Sequence, residues 1–413
     1  MATKVFWYTS VIDGRTPWVA HGRYQFDFHR LRRHVNLLDR RGFYGSLFGT
    51  YGHDIWTLAS ALISETQVHR FLLPIYPGLD SPTALAQRAS TFDDITGGRL
   101  IFNVVNGTDS SSAAYGIRIP RDERYELSLE YWSLFKKVYQ GQPITEPGRY
   151  FDLSPSGTTP LPPSLLTAGQ IQKPHTPLWG AGNSDAGNVH AGKLFDRHLI
   201  FWDRHERLKP KVERSRAAAA AAGRKVPIGL HASVIVRDTD EQAWVEAQRI
   251  FDAGGADALR EFTNGNAYRY GVAGGFDELT SDDPELQHRI EILRTTKRPI
   301  AKDFETAPGL WAGVTQFAPP DVLGNGIGLY LVGSPRTVAD LIREYTEEYD
   351  ADAIILSSWP LTAEADRFAD QVLPLLDLDD PREGISLGLR QTARDPQGPG
   401  ETSQFVATTG WGD

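Results

Sequence analysis

Residues 71–107 combine two apolar runs with one amphipathic stretch, and the rest of the chain follows from that pattern. The run FLLPIYPG predicts an apolar strand. The next segment, SPTALAQRASTFDDIT, opens with a serine suited to an N-cap and a proline at the first helical position, and Leu85, Ala89, Phe92 and Ile95 recur at intervals of three and four. Gly97 and Gly98 offer a left-handed stop. Residues 100–105 are nearly all apolar, as expected of a strand covered on both faces, and polar Asn103, Asn106 and Gly107 gather at its carboxyl end. Strand, helix and strand in so short a span predict a βαβ unit.

The same alternation recurs along the chain. Strands are expected at 4–9, 43–48, 175–182, 199–202, 228–236 and 353–358. Helices are expected at 26–40, from 55, at 122–138, at 185–194 behind the Asn183-Ser184-Asp185 cap, at 206–222, after Asp238-Thr239-Asp240, at 335–349 and at 361–376. About eight strand and helix pairs predict an α/β fold, a TIM (β/α)8 barrel, with a doubly wound sheet as the alternative. The barrel is read as one domain over 1–376, with insertions near 107–120, 141–170 and 254–330. Residues 141–170, with short alternating pieces around 149–153, read as a small hairpin or insertion outside the main sheet. Residues 310–332, rich in Gly and Pro, read as mobile, and 377–413, with no core pattern, as an extension wrapping the surface or a partner subunit.

Composition narrows the chemistry. With 413 residues and 40% hydrophobic content, the chain suits one large core or two moderate ones. Its 52 acidic and 43 basic side chains give a charge of -9 without long single-sign blocks, so neither nucleic acid nor an anionic membrane is an expected partner. Absence of cysteine excludes disulfides, thiolate metal sites and cysteine nucleophiles. No apolar run approaches the roughly 18 residues of a membrane span, and MATKVFWYTS lacks the layout of a signal peptide, so a cytoplasmic compartment is expected. There is no paired-carboxylate motif, no HExxH metal signature and no Gly-rich Lys-Ser phosphate loop. The strongest anion site is GAGNSD from Gly180, a helix start preceded by glycine and offering Asn and Ser beside free backbone N–H groups.

Several ordered segments resemble the bacterial-luciferase-like flavin-dependent monooxygenases, and among them the alkanesulfonate branch. They are SPTALAQRASTFDDITGGRLIFNVVNG, RYELSLEYW from Arg124, GAGNSDAG, IVRDTDEQAW from Ile235, LWAGV from Leu310 and LVGSPRTVADLIREY from Leu331. The resemblance implies a TIM barrel that binds reduced FMN supplied by a separate NAD(P)H-dependent flavin reductase. It implies O2 as co-substrate and a C4a-(hydro)peroxyflavin as oxidant of a small organic substrate, in a homodimer or homotetramer. A desulfonating member would release an aldehyde and sulfite. Such chemistry needs a water-poor cavity with fixed donors.

Carried over by position, Asn103 and Val105 are expected against the isoalloxazine, Tyr125 near the phosphate, and Ala181, Asn183 and Ser184 around it. On the substrate side the matching residues are His53, Trp202, His231, Ser233 and Trp359. Here the chain departs from the sulfonate enzymes: His231 and Ser233 stand where those have arginine and histidine, Trp359 stands for a tyrosine, and the lid segment 314–329 has no arginine. Arginine is a permanent bidentate clamp on an oxyanion, histidine a conditional charge and serine a neutral donor. A larger, flatter or less charged substrate is therefore expected, for example an organosulfur, heterocyclic or amide compound. Arg99 and Arg237 are expected to make structural pairs. A deazaflavin-dependent oxidoreductase and a non-catalytic flavin-binding protein are the alternative readings.

Overall fold

A computed structural model describes residues 2–17, 20–49, 52–107, 114–116, 118–153, 171–265, 274–296, 299–313 and 329–386. Its strands are β1 (Lys4–Thr9), β2 (Gly45–Phe48), β3 (Arg70–Ile75), β4 (Leu100–Val104), β5 (Leu178–Ala181), β6 (Arg197–Phe201), β7 (Ile228–Val236), β8 (Glu305–Ala307), β9 (Leu310–Trp311), β10 (Tyr330–Gly333) and β11 (Ala351–Ser357). β1 to β7 pair in sequence, all parallel, and β11 pairs with both β7 and β1, which closes an eight-stranded barrel. The barrel is therefore the (β/α)8 type, and the doubly wound alternative is excluded. Beyond Ser357 the long β7 continues, pairing with β10, and the β8–β9 hairpin extends that edge.

The helices α1 (Phe28–Arg40), α2 (Ile55–Leu62), α3 (Pro82–Thr96), α4 (Arg121–Tyr139), α5 (Asp185–Leu194), α6 (His205–Ala221), α7 (Asp240–Gly265), α8 (Pro284–Thr295), α9 (Pro335–Glu348) and α10 (Leu361–Gln371) accompany the strands. The βαβ unit forms as its sequence dictates. Ser81 Oγ accepts from the Ala84 amide at 3.1 Å, Pro82 begins α3, and Gly97 ends it at φ 73°.

Strand periodicity sorts the core into two faces. Outward, Trp7 meets Phe43 and Phe368, and Phe102 meets Trp132 and Phe135 of α4. Inward, Phe6 meets the edge of Trp179 across the barrel, ring centroids 5.0 Å apart. Each such aromatic, fully buried, stabilises the fold by roughly 2–3 kcal/mol before the entropy of ordering it.

Cations crowd the amino-terminal end of the barrel. Arg197 pairs with Asp352, Nε to Oδ1 at 2.8 Å, with its guanidinium over Trp179. Arg70 lies 4.0 Å above the Tyr44 ring and donates to the carbonyls of Pro381 and Glu383, while Lys4 pairs with Asp379. Residues 377–386 thereby cross the barrel bottom, pinned also by Thr3 N to Asp377 O at 2.9 Å and Ser386 N to Gly97 O at 3.0 Å.

Two intervals carry detail beyond the expectation. α7 runs to Gly265 and α8 occupies part of the expected 254–330 insertion, where Leu286, Ile290 and Leu293 pack on the core while Arg204 reaches Glu285 at 2.7 Å and Arg207 pairs with Asp283. Around 149–153 there is no strand; the backbone amides of Arg149, Tyr150 and Phe151 all donate to the Glu130 carboxylate, at 3.0, 2.8 and 2.8 Å. A side chain has taken the role of a neighbouring strand.

Candidate active site

The inward positions at the carboxyl ends of the strands follow from register. Phe201 is paired with His231 and His231 with Ile355; two residues on, Ser233 is paired with Ser357. Phe201 and His231 stack at 5.3 Å and 29°. No described residue hydrogen-bonds the His231 ring, and burial pushes its pKa down to about 4, so the imidazole is neutral at physiological pH. Ser233 Oγ and Ser357 Oγ are 2.9 Å apart, in residues only 5% and 1% exposed. Trp359 follows, buried, at the end of β11.

Across the mouth, Asn103 shares the inward face with Pro74 and Trp179, and half-buried Val105 is fixed by its amide to Ile75 O at 3.0 Å. Next to it Asn106 Oδ1 is buried without a hydrogen-bond partner among the described residues, in a crevice shared with Tyr76, Val105 and Arg124. Arg124 Nη1 donates to Gly107 O at 3.3 Å.

The amino end of α5 completes this side. Ser184 Oγ accepts from the Gly187 amide at 3.1 Å and lies 3.4 Å from Tyr125 Oη. A Cβ at Gly187 would sit 3.0 Å from the Gly182 carbonyl carbon, so the turn closes this tightly only with glycine. His190, bonded to Ser128 Oγ at 2.9 Å, holds its ring 5.3 Å from Tyr125 and positions it. Burial pushes its pKa down to about 4. Ala181 and Ser184 are exposed and Asn183 is half-buried, so all three border open space.

The structure thus assembles two facing groups: Asn103, Val105, Tyr125, Ala181, Asn183 and Ser184 on one side, His231, Ser233 and Trp359 on the other. His53 sits apart at the rim, exposed and packed on Phe26 at 4.1 Å, lining a cavity of about 880 Å³ with Trp56, Tyr76 and Tyr115. Trp202 is separate from both groups. One residue beyond inward Phe201, it takes the opposite face and packs on Tyr345 of α9 at 4.8 Å. Arg99 and Arg237 are structural: the first donates to Thr66 Oγ1 at 2.7 Å and to three carbonyls, the second to Glu364 at 2.9 Å. The lid segment lies outside the described residues, save Leu329.

A barrel with facing polar groups at its carboxyl rim is shared by many enzymes. The decisive observation is that the luciferase-like monooxygenase family profile matches residues 10–351. The chain belongs to that family. Solved structures share its fold: riboflavin lyase, determined with a modified FMN and riboflavin (19% identity, TM-score 0.70, 93% of this chain and 96% of that one); DmoA from Hyphomicrobium sulfonivorans (19%, 0.67, 93% and 92%); and the EDTA monooxygenase of a Chelativorans species (18%, 0.65, 93% and 98%). They share its fold, and none of them singles out the alkanesulfonate branch.

In this luciferase-like chain, sequence reasoning did not single out Phe201, Ser357 or Arg124. Strand period would have found two of them: Phe201 is the inward neighbour of Trp202, and Ser357 lies two residues before Trp359. Asn106 was marked by its place at the strand end, whereas Arg124 carries no such signal, since only tertiary packing brings the end of β4 and α4 into one crevice.

Proposed function

We propose that this chain is an FMN-dependent monooxygenase that receives reduced FMN from a separate NAD(P)H-dependent reductase and uses O2 to oxygenate a small organic substrate. The observation that carries the reading is the Tyr125 hydroxyl of α4 set 3.4 Å from the Ser184 hydroxyl at the start of α5, on the same rim as an Asn106 amide oxygen without a partner among the described residues. Hydroxyls and free N–H groups at a helix start suit a phosphate, and a bare amide oxygen suits the N–H edge of an isoalloxazine. The residues therefore fit FMN: Tyr125, Asn183 and Ser184 would hold its phosphate, and Asn103, Val105 and Asn106 its ring. Reduced FMN, when bound, supplies the electrons that activate O2, which no side chain here can do.

The chain's own contribution is enclosure and fixed dipoles. His231 and the Ser233–Ser357 pair present donors to the reacting group from the facing wall, Trp359 helps exclude water there, and His53 guards the rim. Trp202 acts through the wall and touches no substrate. A cytoplasmic homo-oligomer belongs to the same reading, which rests there on the family.

The test is flavin binding followed by oxygen uptake. Purified protein is titrated with oxidised and with anaerobically reduced FMN, then mixed with O2 in a stopped-flow cell. Saturable binding and flavin-dependent O2 consumption are expected; protein that retains neither flavin form overturns the reading.

A further inference from the structure

We infer that the wall formed by His231, Ser233 and Ser357 selects an uncharged substrate bearing a hydrogen-bond acceptor, and that Ser357 is a specificity-determining residue. The inference deepens the monooxygenase reading and rests on it for the chemistry that follows binding.

Charge placement comes first. The inward cations among the described residues, Lys4, Arg70 and Arg197, are all at the amino-terminal end, engaged with Asp379, the carbonyls of Pro381 and Glu383, and Asp352. At the carboxyl end, Phe201, His231, Ser233, Ile355 and Ser357 include no fixed cation. Arg204 and Arg237, which stand just past β6 and β7, are bound to Glu285 at 2.7 Å and Glu364 at 2.9 Å. Burial keeps the His231 imidazole neutral above about pH 5. A sulfonate or carboxylate placed there would be a buried charge without a counter-ion, which is costly.

Hydrogen-bond arithmetic sets the other half of the preference. Two serine hydroxyls carry two protons, and their mutual bond at 2.9 Å uses one, so one proton remains to give. His231 adds an N–H with no described partner. A ligand oxygen or aromatic nitrogen accepts from these desolvated donors; a hydrocarbon of the same shape leaves them unpaired and is discriminated against. Either hydroxyl can donate in that bond, so Ser357 either offers the spare proton itself or holds Ser233 in place to offer it. Alanine at 357 would free Ser233 to rotate.

The test uses a near-isosteric pair, methyl octyl sulfone and octane-1-sulfonate, titrated into the full chain with and without FMN by calorimetry at pH 7.5. The sulfone is expected to bind at least tenfold more tightly. Ser357→Ala should weaken the sulfone by about tenfold and leave the sulfonate unchanged, Ser357→Thr should restore it, and His231→Arg should raise sulfonate affinity. Equal or tighter sulfonate binding, absence of sulfone binding, or a preference indifferent to Ser357→Ala with the protein folded overturns the inference. FMN retention is read in the same samples. Protein that prefers the sulfone but never retains FMN overturns the monooxygenase reading alone; protein that retains FMN but prefers the sulfonate overturns this inference alone.

Discussion

Tyr125 Oη stands 3.4 Å from Ser184 Oγ, so α4 and the start of α5 present two hydroxyls to the same point in space. Neither helix alone makes a site. Their junction lies where free N–H groups and the positive end of the α5 dipole already favour an anion.

Removing either hydroxyl should therefore weaken FMN. Tyr125→Phe and Ser184→Ala are each expected to raise the FMN Kd about tenfold, the size of one hydrogen bond to a charged group. The double variant should fall short of a hundredfold loss, because both hydroxyls address one phosphate. Fluorescence titration checks this, and urea unfolding separates the effects: only Ser184→Ala should also lose about 1 kcal/mol of stability, through its N-cap.

Asp93 is a buried carboxyl that accepts from Leu100 N at 3.2 Å, Gln172 Nε2 at 3.0 Å, Tyr139 Oη at 3.1 Å and Thr176 Oγ1 at 3.2 Å. It ties α3, β4 and α4 to the segment entering β5. Asp93→Ala should cost roughly 3 kcal/mol by stranding those donors, while FMN affinity in the folded variant stays within twofold. Chemical denaturation and FMN titration give the two readouts.

Histidine burial sets the acid limit. Burial lowers the pKa of His34, His190, His198 and His231 to about 4, and lowers those of His69 and His175 as well. The unfolded chain binds these protons near the ordinary pKa of 6.5 and the folded one does not, so stability falls as pH drops from about 6.5 toward 4. Asp93 works the other way: desolvation raises it from 3.8 to about 6, so between those values the folded state holds the extra proton and stability falls as pH rises. Burial raises the Asp13 carboxyl as well, and six groups outweigh these two. The urea midpoint should decline steadily from pH 7 to pH 4.5, and a flat profile would contradict the burial described.

The two tryptophans should separate cleanly. Trp202→Phe is expected to cost about 1–2 kcal/mol by opening space beside Tyr345, with binding of FMN and of the sulfone probe unchanged. Trp359→Phe should lower affinity for the sulfone probe severalfold at smaller cost in stability. Equal effects on the probe would place both rings in one pocket.

The barrel was legible because its signals are local. Ser81, Pro82 and Gly97 bound α3 as their chemistry dictates, and the full strand at 228–236 was readable from its alternation, with Ile228, Leu230, Ala232 and Val234 apolar around Gly229, His231 and Ser233. α8 was hidden because its apolar positions Leu286, Ile290 and Leu293 are interleaved with charged residues in an otherwise polar interval, and their packing on the core exists only in the folded chain. The site was readable wherever it follows helix-capping rules, as at Ser184. It was unreadable where it depends on which strands become neighbours: Ser233 and Ser357 are 124 residues apart in sequence and meet only when the barrel closes.

Residues 377–386 cover one end of that barrel, with Arg70, Arg197 and Lys4 riveted beneath them. A vessel stoppered at its base fills and empties through a single neck. On the proposed reading, flavin, oxygen, substrate and product would all share the doorway at the carboxyl rim.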